Sequence, residues 1–231
     1  MLEQMRKHMN WIMWIILVLV IVSFLFFGIY PTDDSRGAAA TVNGDVITAG
    51  ELNRAYRNMY ETYRQIFKDQ FNDQIAKGLR RQALKDLVQT RLLVQEAKRN
   101  GLRVTDEEVQ AAIMRTPSFS NQGKFDKAAY ERYLDYVNVK PSVFEETQRE
   151  YMLKQKIERV IEEGVDVTED EIREAYAARN PKAKAGDLQK NKDSFKQTLL
   201  AEKRRSAVDA YADGLSRKGK VTMNQAELDS F

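Results

Sequence analysis

Residues 42–52 read Val42-Asn43-Gly44-Asp45-Val46-Ile47-Thr48-Ala49-Gly50-Glu51-Leu52, and the fold turns on this run. Asn-Gly between β-branched residues is a strong short hairpin signal, because both residues tolerate positive φ in a type I′ turn. Thr48 with Glu51 three positions on is a capping box, flanked by apolar Ile47 and Leu52 in the places of a hydrophobic staple. The run therefore predicts a two-stranded ribbon feeding a helix. A ribbon this short is marginal alone and must pack on helices or accept a third strand.

The same device recurs downstream. Val104-Thr105-Asp106-Glu107-Glu108-Val109 and Val167-Thr168-Glu169-Asp170-Glu171-Ile172 each place a helix start, and Val221-Thr222-Met223-Asn224-Gln225 is a weaker copy. Between these marks the 3.6-residue periodicity predicts a mainly α domain over residues 42–231. The first long helix is expected from Ala49 to Ala76, with Leu52, Tyr56, Met59, Tyr60, Tyr63, Phe67, Phe71 and Ile75 on one stripe. Gly78 is read as an interruption, and a second helix as running from Leu79 to Arg99, closed by Asn100-Gly101. A short helix through Ile113 stops before Thr116-Pro117, and a loop from Ser118 to Phe125 leads to Asp126, the cap of a helix through Val137. Pro141 suits the first turn of a helix through Glu163. A helix from Thr168 halts at Asn180-Pro181, residues 181–192 read as a loop, and a last long helix is expected from Ser194 to Arg217. Lys220-Val221-Thr222 has the character of a short strand, and the ribbon is expected to be completed either by it or by a partner's strand.

Upstream of the ribbon, residues 11–30 read WIMWIILVLVIVSFLFFGIY, without a charge. A helix of this length reaches ~30 Å, the thickness of a bilayer's hydrocarbon core. Trp11 and Trp14 at one end and Tyr30 at the other suit the membrane–water interface. A cleaved signal peptide would have a shorter apolar core with a small-residue site close behind it, and a buried core helix would show a polar face. The stretch is read as one transmembrane anchor. Arg6 and Lys7 before it, with Asp33 and Asp34 after it, put residues 1–10 in the cytoplasm as a tail and the remainder outside. Residues 31–41 read as a linker.

Composition narrows the chemistry. The 231 residues carry Lys+Arg 37 against Asp+Glu 34, a net charge of +3, which is too balanced for a nucleic-acid binder. There is no cysteine, and the single histidine, His8, falls on the cytoplasmic side of the span. The outer region thus lacks the commonest general base and metal ligand, and no phosphate-binding loop is present. No catalytic, cofactor-binding or metal-binding residues are expected. The carboxylates read as solvated helix faces.

The residues from Ala40 to Ile47, the box at Thr105, and Phe119 followed by Gly123-Lys124-Phe125-Asp126 with Tyr130 and Leu134 resemble the SurA and PpiD family of periplasmic chaperones. The resemblance covers about residues 5–180, and residues 193–225 are similar to that family's terminal helix and closing strand. It implies a SurA N-terminal-like multi-helix domain behind an N-terminal membrane anchor, in the bacterial inner membrane and facing the periplasm. It also implies an ATP-independent holdase for unfolded or nascent exported proteins, beside the secretion translocon and the lipid bilayer. Members usually carry parvulin prolyl-isomerase domains in the interval that here holds only residues 180–192, and parvulin sites rely on paired histidines. Isomerase activity is therefore not expected. The client-binding surface is expected at Met59, Tyr63, Phe67 and Phe71 with Met114 and Phe119, the alternative for each being ordinary packing. A competing reading makes the chain an accessory subunit that docks one membrane protein complex.

Overall fold

The computed structural model describes residues 37–181 and 186–229. The expected tail, the span with Trp11, Trp14 and Tyr30, and residues 31–36 lie outside the described residues. Among the described residues no helix is long and apolar enough to cross a membrane. The chain divides into two compact units, Met1–Gly37 and Ala38–Phe231, and all elements described belong to the second.

The ribbon forms as its sequence dictates. β1 (Ala38–Val42) pairs antiparallel with β2 (Asp45–Thr48), with Val42 opposite Asp45 and Ala40 opposite Ile47. Asn43 and Gly44 turn it with φ of 53° and 98°. β1 begins inside the stretch expected to be linker, because Ala39, Ala40 and Val42 are buried in the first core. A third strand from the far end of the chain (Val221–Met223) lies on the other side of β1, so β1 is central. Asn43 fixes that closure. Its N–H donates to Lys220 O at 2.9 Å, its Oδ1 accepts from Lys220 N at 2.8 Å, and its Nδ2 donates to Gln95 Oε1 at 2.8 Å. A Cβ on Gly219 would stand 2.9 Å from Asn43 Oδ1, so a side chain there would have to shift Asn43 from this bond.

The capping box of Thr48 and Glu51 opens α1 (Ala49–Phe67), which passes through a 3-10 turn, Lys68–Gln70, into α2 (Asp73–Arg99). The break expected at Gly78 falls instead at 68–72. Lys68 takes a positive φ of 43°, and Asn72 caps the new helix by accepting from Ile75 N at 3.0 Å. Phe71 and Ile75 therefore leave the first helix, and Gly78 sits inside α2 with open space around it. The box at Thr105 opens α3 (Asp106–Met114). A 3-10 turn, Pro117–Phe119, then leads into a tight hairpin of β3 (Ser120–Asn121) and β4 (Lys124–Phe125). α4 (Lys127–Val137) and α5 (Pro141–Glu163) follow, and the box at Thr168 opens α6 (Glu169–Arg179).

α7 (Asp187–Lys218) starts seven residues before the expected Ser194, because Leu188 packs with Phe195 on Val167, Ile172 and Leu199. The interval between α6 and α7 thus shrinks to residues 180–186. After α7 comes the third strand, β5, and then α8 (Gln225–Asp229). Thr222 belongs to β5 and caps nothing. Asn224 opens α8 instead, its Oδ1 accepting from Ala226 N at 3.1 Å.

α2 is the axis of the unit. Its Ala83, Leu84, Val88 and Leu92 meet the sheet, Leu52 and Leu228. Further along, Leu93, Val94 and Ala97 pack with Val109, Ile113, Phe119, Leu153, Ile157 and Ala212. Buried Glu96 accepts from Tyr211 Oη at 3.1 Å and Asn100 Nδ2 at 2.9 Å, which ties α7 to α2.

Replacing Gly78 by Ala tests the unbroken α2. An exposed mid-helix site with open space for a Cβ should gain about 0.4–1 kcal/mol in urea unfolding. A loss of stability would restore the break to Gly78.

Candidate functional site

α1 and α2 form an antiparallel helical arm that is well packed at its base and bare at its tip. At the base, Leu52 is fully buried and Met59 packs partly buried against the first core. Beside them, Arg80 donates to Asn53 Oδ1 at 2.9 Å and lies 5.7 Å from the centroid of Tyr56, whose pKa is raised chiefly by burial. Tyr60 stands edge-on to Tyr56 at 5.7 Å and to Phe71 at 4.8 Å. Beyond that point every described side chain from Glu61 to Gln70 is exposed. Tyr63 stacks on Phe67 at 5.8 Å, the two remaining 36% and 38% accessible, and Ile66 is 67% accessible. α2 cannot cover them, since it begins Asp73-Gln74 and offers Ile75 and Ala76 before Leu79.

Of the six residues expected from sequence, the structure brings Met59, Tyr63, Phe67 and Phe71 together on this arm, though Met59 and Phe71 are half-buried there. Met114 is exposed at the end of α3, near the second core. Phe119 is a correction. It is buried to 3% accessibility, ringed by Tyr130, Tyr133 and Phe144 at 5.3, 5.2 and 6.1 Å, and offers nothing to a ligand. The β3–β4 hairpin folds the chain over it, with Asp126 N donating to Phe119 O at 2.8 Å. Ile66 lies off the stripe that runs through Tyr63 and Phe67, so the sequence expectation does not include it. Its place three residues after Tyr63 carries the same helical signal.

The glutamates of the second and third capping boxes are tied up in the frame. Glu108 is held below the usual carboxylate range by a hydrogen bond from Lys156 and by the Thr105 N–H, and Glu171 likewise by Lys203 and Thr168. Among the described residues no group of three or more His, Cys, Asp or Glu side chains could hold a metal ion.

Comparison with known proteins gives this architecture its relatives. The family described as the SurA-like N-terminal domain matches residues 1–158. This chain belongs to that family. It is 30% identical over 165 residues to the periplasmic chaperone PpiD of Escherichia coli K12, covering 68% of this chain and 26% of that protein. It is 28% identical over 190 residues to the chaperone SurA of Burkholderia orbicola, covering 81% and 40%. The foldase PrsA of Clostridium perfringens is 24% identical over 194 residues, covering 82% and 54%. The SurA-like chain therefore spans about a quarter of the PpiD relative. A solved SurA-like chaperone of Campylobacter jejuni shares the fold with a TM-score of 0.51 at 13% identity, covering 82% of this chain and 99% of that one.

Substitution separates core from surface in this SurA-like unit. Phe119→Ala should cost about 3–5 kcal/mol in urea unfolding, as for other buried aromatics. Phe67→Ala should change stability by roughly 0.5 kcal/mol or less. Equal costs at the two positions would contradict the assignment.

Proposed function

We propose that this SurA-like chain is a membrane-anchored, ATP-independent periplasmic chaperone of the inner membrane that holds unfolded exported polypeptides near the secretion translocon. The observation that carries the reading is the uncovered ridge of Tyr63, Ile66 and Phe67 on an otherwise polar arm tip. The relatives named as periplasmic chaperones support it, and the apolar stretch at residues 11–30 supports the anchor.

Magnitudes fit reversible holding. Fully burying one such side chain is worth ~1.5–3 kcal/mol, so covering three that are already partly shielded yields on the order of 4 kcal/mol. Before the entropic cost of association is subtracted, that caps a single contact at a Kd of ~1 mM. Release then needs no fuel. Tethering where clients emerge compensates, because a short flexible tether supplies effective concentrations in the ~mM range. Holding proceeds without isomerase chemistry in this account. The interval 180–186 leaves no room for a catalytic domain, and the sole histidine is His8.

Light scattering of a chemically unfolded outer-membrane protein tests the reading. The chain should delay aggregation without accelerating prolyl isomerisation. The triple substitution Tyr63→Ser, Ile66→Ser, Phe67→Ser should weaken that delay by roughly tenfold or more, an effect of at least ~1.4 kcal/mol, with the thermal midpoint unchanged. Undiminished activity of the variant would remove the arm from the mechanism.

A further inference from the structure

We infer that the client segments taken by the arm are acidic as well as apolar: a row of cations beside the ridge selects extended segments in which Asp or Glu adjoins aromatic or aliphatic residues. This inference rests on the chaperone reading of the same arm.

The charge of the molecule is unevenly placed. From Arg54 to Lys85 the arm carries eight Lys and Arg against three Asp and Glu, a local net charge of +5 in a chain of net charge +3. Off the arm, several cations are tied to carboxylates. Arg91 meets Glu51 at 2.9 Å, Arg149 meets Asp106 at 2.7 Å, Lys156 meets Glu108 at 2.7 Å and Arg179 meets Glu202 at 2.6 Å. On the arm, Arg54, Arg57, Arg64, Lys68 and Lys85 are exposed and make no ion pair with any described residue.

Three of these cations adjoin the ridge. At 100° per residue, Arg57 and Arg64 lie seven positions apart on one line of α1, next to the line of Tyr60 and Phe67, and Lys68 follows at the helix end. Glu61 is the one carboxylate in that line. A bound segment thus meets an apolar strip with a positive border. Exposed cations of this kind give on-rate and selectivity more than affinity, which suits a surface whose apolar contacts are individually weak. An anionic bilayer surface shares the acidic chemistry. The row favours a peptide, because from Arg57 to Lys68 its cations follow the side of α1 over about three turns, a line that an extended segment can track.

Fluorescence anisotropy decides the matter with two peptides that share one aromatic–aliphatic core, one flanked by Asp and the other by Lys. The 231-residue chain is held in nanodiscs of zwitterionic lipid. At low salt the Asp-flanked peptide should bind about tenfold more tightly, an advantage that vanishes near ~1 M salt, where the Debye length is ~3 Å. The variant Arg57→Gln, Arg64→Gln, Lys68→Gln should lose the preference and keep binding, whereas Glu61→Gln should widen it. Equal affinities in the unmodified chain, or a preference for Lys, would overturn the inference and leave the chaperone reading standing. Failure of both peptides to bind would remove the two together. Cosedimentation with phosphatidylglycerol vesicles that depends on Arg57, Arg64 and Lys68, without any peptide preference, would assign the row to lipid and overturn the inference.

Discussion

Each capping-box glutamate in this fold uses its two oxygens for different helices. Oε2 of Glu51, Glu108 and Glu171 accepts from the N–H of Thr48, Thr105 and Thr168 at 2.7, 2.8 and 2.8 Å, which closes the box on its own helix. Oε1 of the same residues accepts a cation from a helix packed across it. Arg91 of α2 reaches Glu51 at 2.9 Å, Lys156 of α5 reaches Glu108 at 2.7 Å, and Lys203 of α7 reaches Glu171 at 2.7 Å. Lys156 and Lys203 go on to donate to Arg103 O and Asp166 O, backbone carbonyls two residues before each threonine. Surface ion pairs are usually weak because two long side chains must be ordered for one contact. Here the carboxylate is already held by the cap, so only one side chain remains to be fixed. α1, α3 and α6 thus leave the body from fixed points and in fixed directions.

What the clamps fix at the base they leave free at the tip. α1 is held by Glu51 and Arg91 near its first turn and by Asn53 and Arg80 a little further on, then continues past the last residues that α2 can place against it. The ridge of Tyr63, Ile66 and Phe67 is therefore exposed by construction rather than by loose packing. Apolar surface left uncovered on a clamped helix can be offered to a client without unfolding its own support. The aromatic knot around Phe119 is the contrasting case, with rings of similar chemistry drawn into the body by the β3–β4 hairpin.

Much of the frame was legible because it rests on local rules. Asn43-Gly44 turns where the sequence requires it, three Thr-x-x-Glu runs start the helices they mark, and Val221 completes the sheet as strand stability demanded. The failures share a physical origin in non-local packing. Gly78 looked like a break, but a glycine on an exposed face costs only ~1 kcal/mol and the core face of α2 runs through it. Leu188 extended α7 because Ile172 and Val167 were there to receive it. Thr222 carried the spacing of a box and was claimed by the strand, whose ladder with β1 outweighs one cap. For the surface, spacing placed Tyr63 and Phe67 correctly on a stripe, yet could not separate the covered part of that stripe from the bare part. Nor could it separate either from Phe119, whose burial depends on the hairpin that follows it and on rings from α4 and α5.

Hydrogen–deuterium exchange of the chain with and without an unfolded client measures the central claim most directly. The account predicts that amides of residues 61–70 exchange fastest within α1 and its turn, and that client binding slows exchange there while residues 117–144 stay unchanged. Client-induced protection centred on residues 117–144, with residues 61–70 unaffected, would contradict it.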